Sequence, residues 1–166
     1  MIQDLVKRYI PERIRETASL RAFGLAKIPL LGFCTPKVVE LDGDHCVVAI
    51  GLNRRTRNHL GSMYFGALAV GADCAGGLIA YRQIQLSKKK ISLVFKDFQA
   101  EFLKRPEGEV HFICDQGTEI RDLVERADRS GERENLVVKI RAVVPAIDPH
   151  DPVALFRLTL SLKRRN

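Results

Sequence analysis

Asp73 is the residue of this sequence best placed to do chemistry. It is the one formally charged side chain in YFGALAVGADCAGGLIAY, residues 64–81. Burying an ionised carboxylate in an apolar helix is costly unless it is paired or hydrogen-bonded, and desolvation there raises the pKa of the carboxyl. Such a group could act as a general base that activates water for attack on an acyl carbonyl. Equally, its helix face could reach solvent, or the carboxyl could make a structural hydrogen bond. Asn58 lies just ahead, in the polar segment NRRTRNHLG, residues 53–61. An Asn at such a place closes a turn or caps a helix, and it can also orient a water or a carbonyl. The Phe65 and Gly66 N–H groups fall near the expected helix start, where unpaired donors and the helix dipole favour a developing oxyanion. Tyr64, beside them, is either a half-buried aromatic or a weak acid.

The remaining polar residues divide into solvated and structural ones. His59 and His150 sit in polar loops, while His45 and His111 fall in strand-like runs and are expected to satisfy local hydrogen bonds. Cys34, Cys46, Cys74 and Cys114 are 12, 28 and 40 residues apart, with no CxxC pair and no Cys/His cluster. Neither a zinc site nor a disulfide framework is expected, and the usage is that of a reduced, cytoplasmic protein. Three basic clusters stand out: Arg54, Arg55 and Arg57; Lys88, Lys89 and Lys90; and Lys163, Arg164 and Arg165. A solvated face accounts for such runs, and so does an anionic ligand. No nucleic-acid motif or aromatic stacking platform accompanies them, so no nucleic-acid partner is expected. No phosphate loop of the GxxxxGK kind is present either.

These residues need elements to position them. The chain has 166 residues, 46% hydrophobic and 28% charged, with a net charge of +7. That composition fits one globular domain with a substantial core and lies away from disorder. The first thirty residues mix acidic and basic side chains without an apolar run after a basic start, which argues against a signal peptide. Residues 64–81 approach membrane-span length, yet four glycines and Asp73 mark them as a buried core helix rather than a span.

Residues 1–32 read as helical, with Pro11 in a first turn and breaks at Gly24 and Pro29. Residues 37–52 read as a hairpin turning at Asp42-Gly43-Asp44. A helix is expected from about Ser62, which could cap it, to Ile84. Residues 89–104 are long for one strand, and a bulge is expected near Asp97. A strand over 109–114 follows the turn at 105–108, then a short surface helix or excursion over 115–133. Strands over 134–147 and 152–165 are joined by a turn at 148–152. The sum is an α+β fold of about six strands and one helix without a clear polar face, which must be covered nearly all round. Antiparallel strands curving around that helix would do so.

The segment Asn58-His59-Leu60-Gly61-Ser62-Met63-Tyr64-Phe65-Gly66, followed by Asp73, resembles the helix-leading motif of hotdog-fold thioesterases of the phenylacetate-pathway type. Their pattern is N-x-x-G-x-x-H-G-G followed seven residues later by Asp or Glu. Asn58, Gly61, Gly66 and Asp73 match it, while Tyr64 replaces the usual His and Phe65 the first Gly. Together with FKDFQAEFLKRPEG, residues 95–108, the wording is similar to an uncharacterised hotdog subgroup carried as a domain of unknown function. The resemblance covers residues 35–165 in element order, with residues 1–32 as an N-terminal helical extension.

The resemblance implies hydrolysis of an acyl thioester, on coenzyme A or on acyl carrier protein, without metal or other cofactor. Asp73 would take a proton from water that Asn58 positions, or would itself attack the carbonyl to give a mixed anhydride, and the Phe65 and Gly66 amides would hold the oxyanion. Arg54, Arg55 and Arg57 would bind coenzyme phosphates, with Tyr64 lining the substrate site. A hotdog dehydratase or hydratase, or an acyl-thioester-binding module without catalysis, is the competing reading. Helix geometry adds one expectation. Seven or eight residues at about 1.5 Å each separate Asp73 from the amides by roughly 10–12 Å, too far for one carbonyl to meet both. A dimer with antiparallel central helices, alone or within a tetramer, would bring the two halves together from different chains. No membrane partner is expected.

Overall fold

The computed structural model describes residues 11–165. Helix α1, Glu12–Lys27, has Pro11 at its N-cap, and the short α2, Pro29–Phe33, opens on Pro29. This corrects the expected helical segment over residues 1–32: residues 1–10 lie outside the described residues, Gly24 is inside α1, and Pro29 starts a helix. The reasons are steric. A proline's missing N–H is no loss in a first turn, and Gly24 lets α2 press against α1, since a Cβ there would lie 2.8 Å from Gly32 N. Side chains tie α1 down: Val38 N–H donates to Thr17 Oγ1 at 2.9 Å, and the Arg21 guanidinium donates to Pro36 O at 3.0 Å.

Six strands form one antiparallel sheet: β1 Lys37–Leu41, β2 Cys46–Ile50, β3 Ile91–Phe102, β4 Val110–Cys114, β5 Arg133–Val144 and β6 Asp148–Arg164. Their order is β1-β2-β4-β5-β6-β3. The β1–β2 turn falls at the expected residues, because Asp42 Oδ1 accepts the N–H groups of Asp44 at 2.8 Å and His45 at 2.7 Å. Those two bonds hold the Asp42 carboxyl below its ordinary value. The β5–β6 connection differs from expectation. The turn is Pro145-Ala146-Ile147, and residues 148–152 already belong to β6. Proline is confined to sheet positions whose N–H is not needed, and Pro149 and Pro152 occupy the start of β6, where the register with β5 is shifted.

Helix α3, Phe65–Ser87, lies across one face of the sheet. Ala67, Leu68, Ala72, Ala75, Ile79 and Ala80 are buried against strands and flanking helices. The expected start at Ser62 is corrected: Tyr64 is the N-cap, and no side chain caps the helix. Ser62 Oγ is instead bonded to Asn58 Nδ2 at 3.1 Å. The charged segment after β4 is a full helix, α4, Gly117–Ser130. Its narrow apolar stripe of Ile120, Leu123 and Val124 is buried, together with Ala127, and packs beside α3. Strands alone therefore do not cover α3; α1 and α4 share that task. Buried Gln83 donates from Nε2 to Gly43 O at 2.7 Å, which pins the β1–β2 turn to the far half of α3.

Gly71 is where α3 meets the sheet most closely, because a Cβ there would collide with the ring of wholly buried Phe112. Alanine would gain about 1 kcal/mol of helix propensity, yet overpacking a core typically costs about 1–3 kcal/mol, and wholly buried Phe112 cannot swing out to solvent without disturbing its neighbours. Gly71→Ala is expected to lower the urea midpoint of unfolding; a rise would mean that the helix and sheet part easily here.

Candidate functional site

The loop over residues 51–64 delivers the chain to α3. Thr56, fully buried, is its internal post: Oγ1 donates to Gly51 O at 2.7 Å and accepts from Asn53 N at 3.0 Å. Its carbonyl accepts Tyr64 N–H at 2.8 Å, and Met63 N–H donates to Pro106 O at 2.9 Å. Asn58 completes the turn, with Oδ1 accepting Leu60 N–H at 2.9 Å and Ser62 N–H at 3.3 Å. Asn58 thus spends its side chain on local bonds and sets the loop's shape.

That loop releases the chain into α3 with Tyr64 extended at φ −66°, ψ 138°. The Phe65 and Gly66 N–H groups occupy the first two helical positions and meet no acceptor among the described residues. Free donors at a helix start can receive a developing negative charge. The Tyr64 ring lies over Gly66, where a Cβ would stand 2.5 Å from Tyr64 Cε1. Phe65 is 60% exposed.

Asp73 sits two turns further along. Its carboxyl is partly buried and has no hydrogen-bond or ion-pair partner among the described residues, and burial raises its pKa above the ordinary value. A Cβ built on Gly77 would lie 3.7 Å from Asp73 Oδ1 and 3.6 Å from Phe95 Cζ. The carboxyl and the Phe95 ring therefore flank Gly77, between α3 and β3, at ordinary contact distance from the place a Cβ would take. A larger side chain at Gly77 would press on both. An unpaired carboxyl with a raised pKa is the kind of group a general base requires.

β3 runs antiparallel along α3 and supplies the other wall. A register shift between Phe95 and Phe98 is the bulge expected near Asp97, and it lets two Phe residues three apart point to the same face. The Phe98 and Phe156 rings stand 5.7 Å apart, Phe102 and Phe156 6.3 Å, and Phe65 and Phe102 6.4 Å. An aromatic ledge thus joins the start of α3 to the sheet. Phe98, Phe102 and Leu103 are exposed, and among the described residues β3 pairs with β6 alone, so that no described strand covers its other backbone edge. Gly77 is one of the four glycines of residues 64–81, and Phe98 and Phe102 lie in the segment 95–108 that carries part of the resemblance, yet neither they nor Thr56 were expected to belong to the site. The three-residue spacing of Phe95 and Phe98 is a further signal.

Arg54, Arg55 and Arg57 are exposed on the same loop and make no ion pair among the described residues. The Arg55 guanidinium lies 5.7 Å over the Phe33 ring. Exposed His59 lies on this loop, next to Asn58, whereas His45 and His111 fall outside the region: His45 pairs with Asp115 and, at 3.5 Å, with Glu40, and His111 Nε2 lies 3.2 Å from Glu109. His45 precedes β2 rather than lying within a strand. The four cysteines are free and buried. Cys46 and Cys114 face each other across β2 and β4, and burial pushes the Cys114 thiol to about 11 and Cys46 higher still. Among the described residues no cluster of three metal-ligating side chains occurs, and no helix is long and apolar enough to cross a membrane. A cavity of about 680 Å³ opens elsewhere, on the far face of the sheet, beside Gln99, Lys139, Arg141 and Arg157. Those side chains alternate with core residues such as Val138, Ile140 and Leu158, so the sheet itself separates this cavity from Asp73.

A long apolar helix laid on an antiparallel sheet in the order β1-β2-β4-β5-β6-β3, with a lone carboxyl at mid-helix, defines a hotdog-fold protein. The chain belongs to the family described as Domain of unknown function (DUF4442), whose model matches residues 17–147. Solved structures agree on the fold. A protein of unknown function from Chlorobaculum tepidum TLS is 17% identical, with a TM-score of 0.79 over 92% of this chain and 97% of that one. A candidate thioesterase from Shewanella oneidensis is 14% identical, with a TM-score of 0.75 over 91% and 99%. A thioesterase variant from Pseudomonas aeruginosa is 21% identical, with a TM-score of 0.66 over 95% and 98%. At these identities the likeness speaks for the fold. A search of curated protein sequences finds no match.

Proposed function

We propose that this protein hydrolyses an acyl thioester. The observation that carries the reading is the Asp73 carboxyl, only partly buried, unpaired among the described residues, raised in pKa by burial and set beside Gly77 and the Phe95 ring. Asp73 takes a proton from water as the water attacks the thioester carbonyl, and the free Phe65 and Gly66 N–H groups hold the oxyanion that forms. The tetrahedral intermediate then collapses and expels the thiolate. Asn58 acts as a positioning residue, because its bonds to Leu60 and Ser62 set the loop that places those amides. The aromatic ledge of Phe65, Phe98 and Phe102 receives apolar acyl groups. No step requires a metal or another cofactor.

One chain cannot assemble this site, since the amides and Asp73 are separated by roughly 10–12 Å along α3. The edge of β3 that no described strand covers, with its exposed aromatic side chains, supports a two-fold partner, because a long unpaired edge is otherwise an aggregation liability. In that dimer the α3 helices run antiparallel, and each site takes its amides from one chain and Asp73 from the other. The test of the activity is release of free thiol from short, medium, long and aromatic acyl-CoAs; binding without release by the wild-type protein would point to a non-catalytic acyl-thioester module.

Arg54, Arg55 and Arg57 are proposed to anchor the phosphates of the coenzyme. A remote anchor acts in ground and transition states alike, so neutralising all three is expected to raise KM for acyl-CoA more than it lowers kcat. A KM indifferent both to the substitutions and to added salt would place the phosphates elsewhere.

A further inference from the structure

Two basic runs far apart in sequence meet at one end of the molecule. Lys88, Lys89 and Lys90 leave the end of α3, and Lys163, Arg164 and Arg165 close β6. The β3–β6 register places Arg164 opposite Ile91 and Lys163 opposite Ser92, and Arg165 N–H donates to Lys90 O at 2.7 Å. On its other side Lys163 stands opposite Arg133 of β5, a like-charge pairing that a sheet does not favour. Asp128 answers part of this charge, taking Lys89 at 3.1 Å and Arg164 at 3.6 Å. Lys88, Lys90, Lys163 and Arg165 are exposed and have no carboxylate within ion-pair distance among the described residues. In a chain of net charge +7, this end carries much of the surplus.

The patch spans β5, β6 and β3, about 10 Å across at normal strand spacing, with Asp128 of α4 at its border. That is broader than one diphosphate, and its cations come from separate elements on an exposed surface rather than from a closed cradle. Lys88 lies 15 residues beyond Asp73 on α3, about 22 Å along the axis. Thirteen covalent bonds join the phosphorus of a phosphopantetheine arm to its sulfur, and at the reach of extended backbone they span at most about 15 Å. A pyrophosphate seated at Lys88 would therefore leave the thioester short of Asp73. A protein bearing the arm can dock here and present its thioester from another point of its surface, because a stable protein interface covers about 800 Å² per partner.

We infer that this basic end is the docking surface for an acidic carrier protein that holds the acyl group on a phosphopantetheine arm. The inference rests on the thioester-hydrolase reading and names the partner that delivers the substrate. Such a surface steers association by charge and weakens as salt rises.

The test is the full-length protein with Lys88→Glu, Lys90→Glu, Lys163→Glu and Arg165→Glu together, assayed on one acyl chain presented both on coenzyme A and on acyl carrier protein. The expected result is a KM for the carrier substrate raised at least about tenfold, with acyl-CoA kinetics unchanged. A control with Lys88, Lys90 and Lys163 each changed to Arg should retain wild-type behaviour, and unaltered thermal unfolding should confirm that the reversed variant is folded. Equal losses on both substrates would make the patch a coenzyme site, and no loss on either would remove the docking role. Patch-dependent binding of the wild type to phosphatidylglycerol vesicles, without binding to carrier protein, would assign the patch to lipid and overturn the inference. Calorimetric binding of holo-carrier protein separates this inference from the activity: patch-dependent binding without thiol release from any thioester keeps the docking surface and sinks the hydrolase, whereas hydrolysis without carrier binding does the reverse.

Discussion

Asp73→Asn is expected to lower thioester turnover by at least about a hundredfold, the scale of lost general-base assistance, while the chain stays folded. Asn keeps the size of the side chain and cannot accept the proton. Nothing among the described residues is bonded to the carboxyl, so the substitution breaks no internal bond, and it removes a group whose ionised form burial disfavours. Loss of activity with intact stability is what separates a catalytic carboxylate from a structural one. Full turnover in the variant would remove Asp73 from the mechanism.

The pH dependence carries the same argument with a definite sign. Burial raises the Asp73 pKa in the folded chain, so the native state holds that proton more tightly than the unfolded state does. Its contribution to stability is fully present below the ordinary carboxylate pKa, and it is lost as pH rises through the raised, folded value. Asn has no such transition. The melting temperature of Asp73→Asn relative to wild type should therefore climb across that interval and then level off. Activity should move oppositely: kcat/KM of the wild type rises as Asp73 ionises, and that limb is absent from whatever residual activity the variant keeps. A limb that persists unchanged in Asp73→Asn would belong to another group.

Sequence alone was a good guide wherever one residue type had one physical use. The Asp42-Gly43-Asp44 turn was legible because an Asp at that position accepts the next backbone N–H groups, and it does. The apolar stretch around Asp73 was legible because a helix without a polar face has to be covered. Errors arose where tertiary contacts decide. Ser62 has the right chemistry for a helix cap, but Asn58 claims its hydroxyl, and the helix waits until Phe65. Gly24 looks like a breaker, yet it serves a close crossing of two helices. Pro149 and Pro152 look like turn residues, but the β5–β6 ladder closes earlier, at Pro145-Ala146-Ile147.

The site was legible in part for a similar reason. A lone carboxylate in an apolar helix declares itself by its cost, so Asp73 could be picked out directly. The surroundings of its carboxyl could not be read, because they depend on Gly77 and on which ring of β3 lies opposite. Phe95 stands opposite Leu160, and the bulge after it brings Phe98 onto the same face. Asn58 illustrates the converse: a matching motif position pointed to the residue, while its side chain is spent on bonds to Leu60 and Ser62 within the loop, which the sequence does not reveal.

The proposed two-chain site makes a prediction that a single-chain site does not. Phe65→Pro is the sharpest way to delete one oxyanion donor, because proline lacks the N–H and is favoured at the first helical position. Tyr64 already has the extended backbone, ψ 138°, that a residue before proline prefers. Phe65→Ala, which keeps the N–H and loses the ring, is the control for the side chain. Removing one such donor typically costs about 10²–10³ in kcat, so Phe65→Pro and Asp73→Asn should each be nearly inactive alone. Mixed in equal amounts under conditions that exchange subunits, they give hybrids in about half of the dimers. Each hybrid holds one site with both lesions and one with neither: the second combines the Phe65 amide of the Asp73→Asn chain with the Asp73 carboxyl of the Phe65→Pro chain. Activity should therefore recover to about a quarter of wild type. Were the amides and the carboxyl of one chain to serve the same carbonyl, every site in every hybrid would carry a lesion, and the mixture would stay at the level of its parts.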